Sequence, residues 1–565
     1  MNRRLKLAGL FLAALLVACA APQGPTLSLD EEARAALAAS GDAPTASARI
    51  RADLAYLADD GRQGRDTGSK GYLEAANYVA ARFKAMGLAP GADGGWFQTV
   101  RFIAARRDLD AAEMTLAWPD GEKRTLVHLE DYLIGRPMTA PAFDVTAPLV
   151  FAGYGVVDAE SGRDDYAGVD ARGKIAVVFK GAPESYDSEE RAFFSSTANK
   201  RAEAAAKGAV GLILVDTKSS QERRPWARLI ANPTKPAMAW IGPDGAPKAG
   251  LGEALATAEM SPQGAALLFS GARRGFAALQ DMAAEGAKTP AFELAASATL
   301  KGASTFERLS SPNVVAKIDG ADPRLKDEVL VLTAHLDHLG VRAPKEKGGD
   351  GIYNGALDNA LGVATILDVA GAFSQGARPR RTVYFVAVTA EEKGLIGSDY
   401  FAHFPTTAGR RIVAEVNLDM PVLLYPFTDV IAFGADHSTL GETVREAAAT
   451  MGVALSPDPL PEESIFVRSD HYRFVQQDIP SVYLFPGFAN GGEAAVRDFL
   501  KNRYHQPSDD LSQPIDYDAA ARFAALNYAI ARRIADDAAA PRWNDGDFFG
   551  DIFAQKDGAF AAAAQ

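Results

Sequence analysis

The sequence predicts an α/β protein, a mixed and mostly parallel sheet flanked by helices, interrupted by a β-rich α+β insert. Three observations predict it. After Ser311 the strand-like runs NVVAKI, VLVLTAHL, TVYFVAVTA, IVAEVNLD and SVYLF alternate with helical segments, the pattern of a sheet wrapped by helices. Between about residues 147 and 293 the texture changes to the short runs PLVFAGYGV, GKIAVVF and VGLILVD around a small-residue helix, NKRAEAAAKGA. The length of 565 residues also exceeds one ordinary domain and can bury more than one core.

In chain order, residues 1–18 read as a secretory signal: Arg3, Arg4 and Lys6 precede an apolar run, Leu7 to Ala18, too short to span a bilayer. Cys19, the only cysteine, follows Leu16-Val17-Ala18 in the manner of a bacterial lipobox. That predicts export to the periplasm or cell surface, with a lipid anchor on Cys19. Ala20 is not the aspartate expected of inner-membrane retention, which favours the outer membrane. With one cysteine no intrachain disulfide can form, so stability rests on the cores alone.

Residues 19–46 read as a tether and 47–146 as the first part of the main domain. Within it Ser69 caps a helix with Tyr72, Ala76, Val79, Phe83 and Met86 on one face, and Gly87 stops it. The loop GLAPGADGGWFQTV then enters a strand. The insert occupies 147–293, the main domain resumes over 294–540, and 541–565, ending GAFAAAAQ, reads as a frayed tail. Apolar residues make up 48% of the chain, as in soluble globular proteins, and a net charge of −13 argues against general nucleic-acid binding.

The chain has only seven histidines, yet the strand VLVLTAHLDH ends in His335, Asp337 and His338. TVYFVAVTAEE ends in Glu391 and Glu392, and IVAEVNLD in Asp419. Asp358 opens a helix in NGALDNALG, and His505 lies in KNRYHQPSDD. Ligands of α/β sheets collect at the carboxyl ends of strands. So many acids at one edge would raise one another's pKa values unless cations neutralised them. Mixed histidine and carboxylate donors suit zinc, with cobalt or manganese as substitutes. Two ions about 3.5–4 Å apart can share one bridging carboxylate.

Singly, each residue has a plainer reading: Asp358 as a helix cap, the glutamates as a solvated strand end, His505 as a loop histidine. Jointly, in this order, they favour a site. His338 would face away from His335 on a continuing strand and reads as a non-ligand. Ser469, Asp470 and His471 are consecutive, whereas a catalytic triad meets in space, so they are not read as one. Arg468 or Asp470 either touches substrate or, the favoured reading, braces its loop. His128, His403 and His437 have no metal-like company in the sequence.

The order His, Asp, Glu-Glu, Asp, His resembles the M28 family of di-zinc aminopeptidases, as do GRDTGSKGYLEAANYVAARFKAMGL near the start and PNVVAKIDG before the first histidine strand. The resemblance implies a zinc exopeptidase fold and two Zn2+ per chain. His335 and Asp419 would serve one ion, Glu392 and His505 the other, and Asp358 would bridge. It implies Glu391 as general base toward a bridging hydroxide, Asp337 as the carboxylate orienting His335, and Tyr504 as donor to the oxyanion. GYGVVDAESGRDDYAGVDARGKIAVVF and KRAEAAAKGAVGLILVD resemble a protease-associated (PA) domain. The implied activity is removal of N-terminal residues from peptides with a free N-terminus, the amine meeting Glu391 or Glu392. The rival readings are a carboxypeptidase of the same architecture, a one-zinc glutaminyl-cyclase-like enzyme, and a non-catalytic receptor-like relative. The complete donor set weighs against the last two.

Overall fold

Strand Thr382–Val388 is buried at every position, as TVYFVAV must be if helices cover both faces of its sheet. In the computed structural model, which describes residues 27–554 except 249, 251 and 345, it lies beside strand Glu328–His335 in parallel register. The signal, the lipobox and the last eleven residues lie outside the described residues. Strands Arg411–Asn417 and Ser481–Pro486 continue the parallel run, and antiparallel pairings with Phe292–Ile318 and Asp429–Phe433 flank it. The sheet is thus mixed, with a parallel centre.

Helices Ala46–Leu57, Lys70–Ala85, Leu361–Gln375 and Tyr517–Asp536 share one core with Leu330, Leu332 and Phe385 on one face. Phe401 and Phe474 cover Val329, Val331 and Val386 on the other. Ser69 caps Lys70–Ala85 as expected, its hydroxyl accepting the Tyr72 N–H at 3.2 Å.

Strand Phe292–Ile318 is 27 residues long and belongs to both halves of the molecule. Over 292–304 its burial alternates residue by residue, the signature of a sheet with one wet face; over 311–316 every residue is buried. It pairs along its length with the 21-residue strand Phe97–Ala117, through a register shift between Lys301 and Ala303. The insert is therefore not a separate sheet. Strands Ala142–Phe151, Ile175–Phe179, Gly211–Val215 and Ala256–Met260 add to the same ladder, and Tyr132–Ile134, expected in the main domain, closes its edge.

The stretch expected to be a tether is folded from residue 31. Helix Glu31–Gly41, capped by Asp30 and with Ala33 buried, packs against Ala46–Leu57. An amphipathic EEARAALAASG has enough alanine and leucine to form that helix once a partner is present. The expected tail likewise begins as structure: helix Phe548–Ala554 buries Phe549 and Phe553.

That last helix helps to fasten the insert. Phe193 of insert helix Ser188–Ser195 packs edge-on against Phe548, Phe549 and Phe553. Beside them His437, expected to stand alone, donates from Nδ1 to Asp547 at 2.5 Å and from Nε2 to Glu189 at 2.6 Å. The two carboxylates engage opposite ring nitrogens, so they clamp the imidazole rather than converge on one ion. A second fastening joins Trp240 and Lys248 of the insert to Asp399, at 2.5 and 2.6 Å.

Burial alone would lower the His437 pKa, but the hydrogen bonds to Asp547 and Glu189 raise it to about 9. A folded pKa above the unfolded value near 6.5 gives stability that is complete below about pH 6.5 and lost as pH rises through 9, on the order of 3 kcal/mol. The urea midpoint should accordingly fall between pH 6.5 and 9.5 by more in the parent chain than in His437→Gln. Equal slopes in the two proteins would remove the clamp as its cause.

Candidate metal centre

Each chemical residue stands where a backbone element ends. His335 closes strand Glu328–His335, Asp419 lies two residues beyond Arg411–Asn417, and Glu391 and Glu392 follow Thr382–Val388 through a turn with Ala390 at φ 58°. His505 follows helix Gly492–Asn502. Asp358 sits in the tight loop NGALDN. There Gly355 takes φ 60°, and a Cβ on it would lie 2.2 Å from the Asp358 carbonyl oxygen and 2.5 Å from the His338 ring. Only glycine fits. The Asp509 carboxylate then fixes the loop by accepting the N–H groups of Leu357 and Asp358, at 2.9 and 3.1 Å.

The five expected ligands meet. Nε2 of His335 lies 2.9 Å from Asp419 Oδ1 and 3.2 Å from Asp358 Oδ1. Nε2 of His505 lies 3.2 Å from Asp358 Oδ2 and 3.3 Å from Glu392 Oε2. Donors about 2.0–2.1 Å from a tetrahedral zinc ion are about 3.3 Å apart, so both sets fit the metal. The two oxygens of Asp358 face different histidines, which is the geometry of a bridge.

The electrostatics favour positive charge among these buried acids. Burial would lower the His335 pKa, yet Asp419 and Glu391 hold it well above its usual value. Burial would raise Asp358, yet hydrogen bonds from His335 and His505 keep it well below the carboxylate range. Glu391, belonging to neither set, is driven well above the ordinary glutamate value by burial, with Glu392 and Asp419 adding to it against His335. A carboxyl with a raised proton affinity is suited to proton transfer.

Two expected roles are corrected. The imidazole of His335 is oriented by the backbone carbonyl of Asp337, 3.1 Å from Nδ1, and not by the Asp337 carboxylate. That carboxylate instead accepts the Glu391 N–H at 3.0 Å and the Thr67 hydroxyl at 3.1 Å, which ties Glu391 in place. His338 does not face away: its Nδ1 is 2.7 Å from Glu392 Oε1. Both departures have one cause. The strand stops at His335, so the alternation of faces does not carry on to residues 337 and 338.

Tyr504 stacks on His505 with centroids 3.9 Å apart, and burial raises its pKa beyond the usual range, leaving a protonated hydroxyl. Ser469 donates to Asp419 Oδ2 at 2.5 Å and accepts from Asn417 at 2.7 Å, so its hydroxyl positions a candidate ligand. His471 is buried against Phe466 and Tyr483, away from any triad geometry. Asp470 is fully buried, with no hydrogen-bond partner to its carboxylate among the described residues, and Arg468 pairs with Glu463 at 2.9 Å at the cavity wall.

Arg65 and Asp509 were not anticipated; only the repeated acids of QPSDD hint at the second. A cavity of about 200 Å3 opens on Asp358, Glu391 and Asp419 and is also lined by Met420, Ile465 and Leu500. A wider cleft of about 1200 Å3 between the insert and residues 462–468 shares Glu463 and Arg468 with it.

Residues 313–531 match the family model described as Peptidase family M28, and residues 145–251 that of the PA domain. A "Probable zinc metalloprotease" of Pyricularia oryzae is 29% identical over 268 residues, 40% of this chain and 51% of the relative. A "probable leucine aminopeptidase 2" of Aspergillus oryzae is 27% identical over 249 residues, 40% of this chain and 46% of the relative. The chain thus spans about half the length of these curated relatives. A solved "Aminopeptidase from Aneurinibacillus sp. strain AM-1" is similar over 88% of this chain and 94% of its own, at 21% identity and a TM-score of 0.47.

Proposed function

We propose, from a chain whose residues 313–531 belong to peptidase family M28 and whose residues 145–251 form a PA domain, that this protein is a two-zinc aminopeptidase. One observation carries the reading: the two oxygens of Asp358 each stand 3.2 Å from a histidine nitrogen of a different donor set. Bound zinc would supply Lewis-acid polarisation of the peptide carbonyl and acidify a water between the two sets.

The remaining steps belong to the chain's own residues. Glu391 takes the proton of the attacking water and passes it to the departing amine. Tyr504, protonated and lining the cavity, donates to the oxygen on which negative charge develops. The substrate's own free amine requires an acidic neighbour, and Glu391 or Glu392 supplies it. Met420, Ile465 and Leu500 favour an aliphatic first side chain.

A mixed library of free and N-acetylated peptides, with products read by mass spectrometry, tests this. Free peptides should lose single N-terminal residues, aliphatic ones fastest, with activity abolished by chelator and restored by zinc. Trimming from the carboxyl end would select the carboxypeptidase reading. No cleavage by protein carrying two metal ions would sink the enzymatic reading altogether.

A further inference from the structure

We propose that His338 is a metal-ligating residue of the second donor set, so that the two ions are held unequally. It rests on the two-metal reading above and goes beyond it: His335 and Asp419 would be the terminal donors of one ion, and Glu392, His505 and His338 those of the other, with Asp358 shared.

The side chain of His338 is fully buried. Its Nδ1 lies 2.7 Å from Glu392 Oε1 and 3.8 Å from Asp358 Oδ2, and one donor atom from each of these three residues falls within 4.8 Å of the others. Yet neither ring nitrogen, nor Glu392 Oε1, has an aligned hydrogen-bond partner among the described residues. Atoms this close without an aligned hydrogen bond between them can be satisfied by one shared cation. Three buried polar atoms without partners would be costly, and a shared cation satisfies two of them at once.

The ring is not free to turn elsewhere. The His338 backbone N–H donates to the Arg65 carbonyl at 3.2 Å, which anchors the chain there, and Gly355 closes against the ring edge where no larger residue fits. The ring of His505 stands 5.7 Å away at an interplanar angle of 64°, so the two imidazoles approach from different directions. Two imidazoles with carboxylates favour zinc or cobalt over the harder magnesium and calcium.

The test uses the full mature chain stripped of metal and titrated with zinc alone against a chromophoric chelator, then with cobalt(II), read by visible absorption. The parent should take two ions. His338→Leu should keep one ion at parental affinity and bind the other at least about 100-fold more weakly, more than the loss expected of an outer partner. His338→Asn places an amide near the position of Nδ1; it should bind the second ion at intermediate affinity with a displaced cobalt band. Should His338→Leu fail to fold, His338→Asn decides alone. Two ions at parental affinity in the variants, or a weakened second ion with an unchanged cobalt band, would overturn the proposal. Fewer than two ions in the parent would instead overturn the two-metal reading on which it rests.

Discussion

Glu391→Gln is expected to keep its metal and lose roughly 10²–10⁴-fold in turnover, the usual contribution of a positioned proton-transfer group. Glutamine matches glutamate in volume, and the Glu391 backbone N–H to Asp337 is untouched by the change. Glu391 belongs to neither donor set, so metal content should not fall. The carboxyl is the one acid at the cavity that combines a raised pKa with freedom from the donor geometry. Glu392→Gln is the contrast. Its Oε2 lies 3.3 Å from His505 Nε2 within the second set, so that substitution should lose metal as well as rate. Turnover on an aliphatic aminoacyl p-nitroanilide, with metal content measured on the same sample, separates the two. Near-parental turnover in Glu391→Gln would exclude Glu391 from proton transfer.

Much of this arrangement was legible in the sequence because strands of a parallel sheet announce themselves. The buried runs VLVLTAHL and TVYFVAV are almost wholly apolar on both faces, IVAEVNL is apolar on one face and carries buried Glu415 and Asn417 on the other, and the polar residue that ends each run lies at the sheet edge. Three of the five expected ligands come from those ends. Asp358 and His505 lie in loops, where nothing local distinguishes a ligand from a cap or a solvated ring, and only their place in the order of the set assigned them. Reasoning from periodicity failed where the periodicity stopped. Asp337 and His338 follow the last strand residue, and the chain's change of direction there moved one carboxylate to the Glu391 backbone and brought one imidazole into the acids. Of the long strand Phe292–Ile318 only NVVAKI is read from the sequence, because only that end is buried continuously, while the half-wet alternating stretch before it carries no apolar run.

A different blindness hid Arg65, whose substitution by methionine is expected to destabilise the fold by about 4 kcal/mol or more. In GRDTGSKGY an arginine among glycines and polar residues reads as surface charge. Instead the side chain is fully buried, and its guanidinium donates to four backbone carbonyls: Leu57 and Asn354 at 2.6 Å, Leu336 at 2.9 Å and Gly355 at 3.0 Å. Burial lowers its pKa to about 10, against the pull of Asp509, Asp337 and other acids, so it remains charged at neutral pH. Three of the four carbonyls belong to the segments that carry His335, Asp337 and Asp358. The loop bearing the strand-end histidine and the loop bearing Asp358 are therefore held to one guanidinium. Methionine would fill much of the volume and leave the carbonyls without donors, while Arg65→Lys, with a single ammonium, cannot reach all four. Both variants should show a lowered urea midpoint and weaker zinc binding, methionine the more so. If the midpoint held while zinc binding weakened, Arg65 would be shaping the site alone, and the charge beneath the two loops would have no part in holding the fold.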